Sequence, residues 1–309
     1  MKWRKTTVVF ESGDPETAAA LINEIFQELG LTGVIIESPD SNADLDWAED
    51  APFQADHNAV IGFFTEKHHG EKYLQLLKYR VEELKPSIIS RFEISASDID
   101  DEDWAESWKL HFHPIKITDK IVIRPGWQHY DALEGDIIIE LDPGMAFGTG
   151  THPTTALCIR MVEQYMTPGI KFLDIGTGSG ILMITAAKTG AGKLTGIDCD
   201  PVALEVAENN LLTNDISADD FTLIEGDLVA AVNGSFEMIA ANIVAETICR
   251  LVPDIVPLLS PGGIFIASGI IVEKEPMVLE KLCDHGFEIS EIRQLEGWCA
   301  VAARYKDAG

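Results

Sequence analysis

Alternating apolar and polar positions predict a first group of elements in the amino-terminal part of the chain. Apolar residues at every second position indicate strands over 6–12, 33–38, 58–66 and 88–96. Apolar residues at every third or fourth position indicate helices over 14–30 and 71–84. Asp14 followed by Pro15 supports the start of the first helix, since aspartate caps helices and proline fits the first helical position. The order βαββαβ predicts a ferredoxin-like α+β domain over residues 1–97, a module that commonly binds a partner on its sheet face or edge.

Beyond residue 151 the pattern changes, and helices alternate with short apolar strands. The periodicity predicts helices over 153–165, 181–189, 201–212, 245–259 and 275–285, and strands over 171–175, 194–197, 221–225, 237–241, 263–267, 288–295 and 299–305. Gly297 joins the last two strands tightly, so we expect them to pair antiparallel. This order predicts a Rossmann-like α/β domain over residues 131–309, with a mostly parallel seven-stranded sheet between two layers of helices.

Two further stretches, 98–130 and 37–66, are predicted to link domains or to bind a partner. Residues 98–130 are expected to form a linker, in which Trp104 and Trp108 share one helical face and pack on a neighbouring domain or, alternatively, stack on a ligand. Short strands are expected near 121–123 and over 135–141. Residues 37–66 carry eight acidic residues and no lysine or arginine, which predicts either a solvated loop or a dock for a lysine-rich protein.

Composition and charge then narrow the classes of function. A formal net charge of −28 over 309 residues disfavours binding to nucleic acid phosphates and either attracts a basic partner or serves solubility. No apolar run approaches the roughly 20 residues that span a bilayer, so we expect no membrane association and a cytoplasmic location. The five cysteines are scattered without a close pair, which predicts neither a disulfide framework nor a zinc site.

A glycine-rich turn after the strand at 171–175 is the first candidate for chemistry. Asp174 precedes glycines at 176, 178 and 180, and the following strand ends in Asp198, 22 residues after Gly176. In a βαβ unit this spacing lets a carboxylate accept hydrogen bonds from ribose hydroxyls. Ile181 stands where a dinucleotide fingerprint needs its third glycine, so a ribose-bearing cofactor other than a nicotinamide is favoured.

Two further strands and a second glycine-rich loop extend this candidate site. Asp227 and Asn242 follow the next two parallel strands, and ligands bind beyond the carboxyl ends of such strands. We expect Asp227 to face an adenine amine and Asn242 to face the reacting centre. The loop over 142–155 leads into a helix, where Thr155 and backbone amides are expected to close over a cofactor that Phe147 covers, and His152 is either functional or a turn contact.

Four stretches resemble the PrmA family, the methyltransferases of the eleventh large-subunit ribosomal protein. They are residues 141–155, 173–180, 196–201 and 241–243, and the most specific is Phe-Gly-Thr-Gly-Thr-His-Pro-Thr-Thr over 147–155. The resemblance covers nearly the whole chain. It implies a class I methyltransferase fold, in which the terminal strands pair antiparallel, and an amino-terminal domain that recognises the substrate.

The resemblance also implies the chemistry. It implies S-adenosylmethionine as methyl donor, the lysine and amino-terminal amines of that ribosomal protein as acceptors, and repeated transfer up to trimethylation. The family's cofactor contacts fall on Thr155, Gly176, Asp198 and Asn242, beside which we expect Gly178 and Phe147. Asn242 is the candidate catalytic residue, expected to accept the hydrogens of the amine. The stretch Asn242-Ile243-Val244-Ala245 lacks the prolines and aromatic residue that hold a planar acceptor, which favours a flexible amine.

Three other functions compete with this interpretation. The same fold could methylate another protein or a small amine. A nicotinamide-dependent oxidoreductase would require a glycine in place of Ile181, and a noncatalytic module would bind the donor without converting it to S-adenosylhomocysteine.

Overall fold

A computed structural model describes residues 2–29, 34–39, 57–65, 71–85, 88–100, 113–141 and 152–306 of the chain. The chain divides into two compact units, Met1–Phe112 and His113–Gly309. The described part of the segment predicted as a linker, 98–130, includes the end of a strand of the first unit and two short strands of the second. Trp104 and Trp108, for which a packing role is predicted, lie outside the described residues.

The first unit has the predicted βαββαβ order. Its elements are β1 (Lys2–Ser12), α1 (Pro15–Glu28), β2 (Val34–Glu37), β3 (Asn58–Thr65), α2 (Glu71–Glu83) and β4 (Ile89–Asp100). All neighbouring strands pair antiparallel in the order β2-β3-β1-β4. One face of the sheet packs against both helices through a core that includes Val8, Ile22, Phe26 and Leu77. Strands β1 and β4 are longer than predicted because they pair along their whole length, from Lys2 opposite Asp100 to Ser12 opposite Ile89.

The second unit begins with a small three-stranded sheet that positions the chain before the larger domain. It consists of β5 (Ile115–Lys116), β6 (Ile121–Arg124) and β7 (Ile137–Glu140), with β6 in the centre. The amide side chain of Asn214 bonds the backbone of Glu140 twice, accepting from its N–H at 2.9 Å and donating to its carbonyl at 2.6 Å. This sheet is therefore fixed directly to the larger domain.

The larger domain contains the predicted seven-stranded sheet. Its elements are α3 (Pro153–Tyr165), β8 (Lys171–Ile175), α4 (Ile181–Thr189), β9 (Lys193–Asp198), α5 (Pro201–Thr213), β10 (Phe221–Glu225), β11 (Phe236–Asn242), α6 (Ala245–Ile255), β12 (Leu259–Ile271), α7 (Glu275–Asp284), β13 (Phe287–Leu295) and β14 (Trp298–Tyr305). The order is β10-β9-β8-β11-β12-β14-β13, and only the last two strands create antiparallel pairings. The class I fold and the antiparallel terminal hairpin are thus confirmed.

Two cores, one on each face of the sheet, hold this domain together. Alternate residues of β8 serve both, since Phe172 packs with α3 and α4 whereas Leu173 and Ile175 pack with α6 and α7. None of the helices that the described residues form has the length and apolar content needed to cross a membrane.

The main local error of the sequence prediction lies at the end of α6. The predicted helix over 245–259 is too long, because α6 ends at Ile255 and one 3-10 turn, Val256–Leu258, follows. Pro257 has no N–H for an α-helical hydrogen bond, which favours that ending. Strand β12 accordingly begins at Leu259, four residues before the predicted position at 263.

Candidate active site

The carboxyl ends of β8, β9 and β11 lie side by side at the point where the strand order reverses. Strand β8 pairs with β9 on one side and with β11 on the other, so the loops after β8 and β11 leave the sheet at neighbouring positions. Such a switch point opens the crevice in which doubly wound α/β proteins bind ligands. The structure therefore brings Gly176, Asp198 and Asn242 to one edge of the sheet, as predicted.

The turn after β8 needs its glycines for two separate reasons. Gly176, Gly178 and Gly180 have φ of +72°, +52° and +78°, a region in which side chains are strained. Close approach is the second reason: a Cβ at Gly176 would lie 2.8 Å from Cγ2 of Ile243, and one at Gly180 would lie 3.2 Å from Cα of Ala207 on α5. The turn thus presents bare backbone at the start of α4, where amide groups and the helix dipole favour an anionic group.

Asp198 is held by the same turn. Its Oδ2 accepts a hydrogen bond from the N–H of Gly178 at 2.9 Å, and its Oδ1 accepts one from the N–H of Asp200 at 3.0 Å. Each carboxylate oxygen has a second lone pair, so the half-buried group keeps acceptor capacity for the hydroxyls of a ribose. The contact with Gly178 joins two of the predicted cofactor-binding positions directly.

Asp174 is a different kind of acid, because it is only 1% exposed. Burial raises the pKa of its carboxyl to about 7, against the lowering effect of a 2.8 Å hydrogen bond from the hydroxyl of Thr177 to Oδ2, and the charge of Asp198 raises it further. Its Oδ1 has no hydrogen-bond partner among the described residues. The side chain of Asp174 is therefore buried beneath the glycine turn and does not line the crevice.

Asn242, at the end of β11, meets Thr155 in the first turn of α3. Its Nδ2 lies 3.3 Å from Oγ1 of Thr155, which accepts the hydrogen bond and is fully buried. Oδ1 of Asn242 is also buried and has no hydrogen-bond partner within the described ranges. A buried acceptor without a donor is costly, so this oxygen is suited to receive a hydrogen bond from a bound molecule.

His152 caps the helix that carries Thr155. The backbone N–H of Thr154 donates to Nδ1 of His152 at 3.3 Å, and the Thr154 hydroxyl lies 2.8 Å from the same nitrogen. Its ring meets that of Trp298 edge to face, with centroids 4.9 Å apart. Burial lowers the pKa of His152, which agrees with a neutral ring that accepts at Nδ1. The described contacts give His152 a structural role at the start of α3.

Other predicted residues have different outcomes. Phe147 and the rest of the second glycine-rich loop before His152 lie outside the described residues, so their roles stay predictions. Asp227 is exposed just after β10, and its expected contact with an adenine amine also stays a prediction. The five cysteines are free, and the described part of the chain contains no cluster of metal-ligating side chains.

Sequence reasoning overlooked Ser268 and Gly269, which lie on β12 beside Asn242. Asn242 pairs with Ser268 in the parallel ladder, and the register of β12 with β14 shifts between Ala267 and Ile270. The available signal was a Ser-Gly pair interrupting a long apolar run where the strand reaches the carboxyl edge. Such a pair marks a bulge, and bulges often lie next to active sites.

Comparisons with known proteins agree with this geometry. The family model described as "Ribosomal protein L11 methyltransferase (PrmA)" matches residues 2–306. A protein of Desulfatibacillum aliphaticivorans named ribosomal protein L11 methyltransferase is 41% identical over 308 residues, covering 98% of this chain and 99% of the relative. A protein of the same name from Clostridium perfringens is 39% identical over 318 residues, with coverage of 98% and 99%.

A solved structure shares the fold. The crystal structure of a ribosomal protein L11 methylase from Lactobacillus delbrueckii subsp. bulgaricus is 34% identical, with a TM-score of 0.59, and covers 63% of this chain and 98% of its own. The match to the family model runs from residue 2 to residue 306 and so extends over both units. The chain belongs to the ribosomal protein L11 methyltransferase (PrmA) family.

Proposed function

We propose that this chain transfers methyl groups from S-adenosylmethionine to the lysine and amino-terminal amines of ribosomal protein L11, with Asn242 as the catalytic residue that orients the amine. The family assignment supports the donor and the class of reaction. The names of the curated relatives support the acceptor. The observation that carries the proposal for Asn242 is its buried Oδ1, which lacks a partner among the described residues at the switch point of the sheet.

The chain's own residues fit the donor at the turn after β8. S-adenosylmethionine supplies an activated methyl group on a cationic sulfur. We assign the ribose to Asp198, whose two oxygens are already oriented by the amides of Gly178 and Asp200. Gly176 supplies a position without a side chain beside Ile243, where a Cβ would lie 2.8 Å from Cγ2 of that residue. Thr155, whose hydroxyl faces Asn242, is a further proposed contact, as are Asn242 itself, Gly178 and Phe147.

Asn242 is suited to orient an amine because its amide is held from one end. Thr155 bonds Nδ2 at 3.3 Å, so the side-chain amide is held beside the first turn of α3 and its buried Oδ1 is held with it. An amine that donates a hydrogen to Oδ1 has its lone pair directed elsewhere, toward the group that it attacks. Alignment of this kind contributes much of the rate in a direct displacement.

The acceptor amine must lose a proton before it reacts, and this step does not require a general base beside Asn242. Making a lysine neutral at pH 7 costs roughly 4.6 kcal/mol, because its ordinary pKa is about 10.4. A buried site next to a cation lowers that pKa and removes part of the cost. Asn242 and Thr155 do not titrate, so the proposed reaction speeds up with rising pH as the acceptor amine loses its proton.

The acidic surface supports a basic acceptor. The net charge of −28 attracts a lysine-rich protein at long range, which raises the rate of encounter and makes it sensitive to salt. We assign recognition of this protein to the first unit and the working location to the cytoplasm, where ribosomal proteins are available.

Mass spectrometry of purified ribosomal protein L11 after incubation with the chain and the donor tests the proposed function. Methylated lysine and amino-terminal peptides are the expected result. Labelling of a different protein in a ribosomal fraction would replace the acceptor, and the absence of S-adenosylhomocysteine with every acceptor tried would reject the reaction.

Replacement of Asn242 tests its role within that reaction. Asn242→Ala is expected to lower kcat about a hundredfold, in the range of a lost orienting contact, while the Kd of S-adenosylhomocysteine changes far less. Asn209→Ala, an exposed asparagine on α5, is the matched control and should keep the kcat of the unmodified chain. An unchanged kcat in Asn242→Ala would remove Asn242 from the mechanism.

A further inference from the structure

The bulge in β12 places a buried hydroxyl next to the proposed catalytic amide. Gly269 has φ of +83°, and a Cβ at this position would lie 2.4 Å from the carbonyl oxygen of Ile243, so only glycine fits. The preceding residue, Ser268, is fully buried and pairs with Asn242 in the ladder between β11 and β12. The bulge therefore directs the Ser268 side chain toward the elements packed above the sheet.

Ser268 connects three elements through one hydroxyl. Its Oγ lies 3.2 Å from the carbonyl oxygen of Thr154 in the first turn of α3, and 3.3 Å from that of Cys299 on β14. The hydroxyl has a single proton, so the two carbonyls share it. The backbone carbonyl of Ser268 also accepts a hydrogen bond from the N–H of Ile243 at 3.1 Å, which fixes the residue after Asn242.

These contacts close a small ring around Asn242. Strand pairing joins Asn242 to Ser268, the Ser268 hydroxyl holds Thr154, and the hydroxyl of the next residue, Thr155, accepts from Nδ2 of Asn242. The Thr155 contact is long at 3.3 Å, so a small shift of the first turn of α3 would break it. Ser268 is fully buried and bonds the carbonyl of Thr154, the residue before Thr155.

We propose that Ser268 is a positioning residue for methyl transfer, which holds the first turn of α3 so that Thr155 keeps the side-chain amide of Asn242 in place for the acceptor amine. This inference rests on the proposed function. An asparagine amide can rotate by half a turn and exchange its oxygen and nitrogen. Without the Thr155 contact the amide loses the side-chain hydrogen bond that holds it among the described residues, so Oδ1 is no longer kept at a fixed position for the amine.

Ser268→Ala tests the proposal in the full-length chain. We expect kcat for methylation of ribosomal protein L11 to fall about tenfold or more, because misplacement of an orienting group has effects of this size. The Kd of S-adenosylhomocysteine, measured by calorimetry, should change less than about threefold, since Asp198 and the glycine turn are untouched. Ser260→Ala is the matched control on the same strand, where the hydroxyl bonds Ser235 and Glu237 away from the site.

A double-mutant cycle separates positioning from general packing. In the Asn242→Ala background, Ser268→Ala should cause no further loss of kcat, because its effect passes through Asn242. Equal losses in both backgrounds, or a parallel loss of kcat and donor affinity, would overturn the proposal. If Ser268→Ala fails to fold, Ser268→Cys keeps the shape of the side chain and a weak donor at the cost of a slightly larger atom, and an intermediate kcat is expected.

A crystal structure of Ser268→Ala decides the inference independently of the proposed reaction. The distance from Nδ2 of Asn242 to Oγ1 of Thr155 should lengthen beyond hydrogen-bonding range. An unchanged distance would refute the role of Ser268 whatever the acceptor is. Inactivity of the unmodified chain toward ribosomal protein L11 would instead refute the proposed function and leave this structural test to judge Ser268.

Discussion

Asp174 provides a quantitative test of the electrostatics beneath the glycine turn. Its pKa is raised to about 7 by burial, with the hydrogen bond from Thr177 lowering it and the charge of Asp198 raising it. In the unfolded chain an aspartate has a pKa of about 3.9. Between these values the folded state keeps a proton that the unfolded state has lost, so folding is less favourable as the pH rises.

The size of the effect follows from the difference between the two pKa values. The contribution of Asp174 is fully present below about pH 4 and is lost as the pH rises to about 7, at about 1.4 kcal/mol per pH unit. Between pH 5 and pH 8 the free energy of unfolding should therefore fall by about 2–3 kcal/mol because of this one group. Asp174→Asn is nearly the same size, carries no charge at either pH, and should remove this part of the pH dependence.

Urea denaturation of the chain and of Asp174→Asn at pH 5 and pH 8, followed by far-UV circular dichroism, measures the difference. The quantity to compare is the free energy of unfolding of the variant minus that of the unmodified chain. This difference should be more favourable to the variant at pH 8 than at pH 5. A constant effect of the new amide on stability cancels in that comparison. Thr177→Val removes the hydrogen bond that stabilises the carboxylate, so it should move the midpoint of the pH dependence upward. A stability difference between the chain and Asp174→Asn that is the same at both pH values would refute the reasoning.

The remaining predictions concern the donor site and which of the two units binds the donor and which recognises the acceptor. Gly176→Ala forces a Cβ to within 2.8 Å of Ile243 at φ of +72°, which should cost about 1–3 kcal/mol of strain and weaken binding of S-adenosylhomocysteine in calorimetry; unchanged affinity would contradict the close approach. Asp198→Asn leaves one acceptor oxygen for two backbone amides and a ribose, so we expect the Kd to rise about tenfold or more, with the exposed Asp219→Asn as control. A chain beginning at His113 should retain donor binding and lose transfer to ribosomal protein L11, and retained transfer would assign recognition to the second unit.

Element order and the glycine turn follow from local information in the sequence. Residue periodicity depends only on which faces of a helix or strand are buried, so helix α3 over 153–165 and helix α4 over 181–189 are predicted to the residue. Glycine at 176, 178 and 180 is informative because a positive φ is a property of single residues. Asp198 could be predicted from the sequence for a similar reason, since its distance along the chain from the turn is set by the length of one βαβ unit.

The contacts that give the site its chemistry depend on residues far apart in the chain. Thr155 and Asn242 are 87 positions apart, and the hydroxyl of Ser268 reaches a carbonyl 114 positions away. Neither contact leaves a periodic signal in the sequence, because each forms where two elements distant in the chain pack against each other. The raised pKa of Asp174 is likewise a result of burial from several sides. The sequence by itself determined the elements, their order and the glycine turn after β8; only the tertiary structure decided that Thr155 meets Asn242, that Asp174 is buried and which carbonyls the hydroxyl of Ser268 bonds, because those properties arise from packing between distant segments.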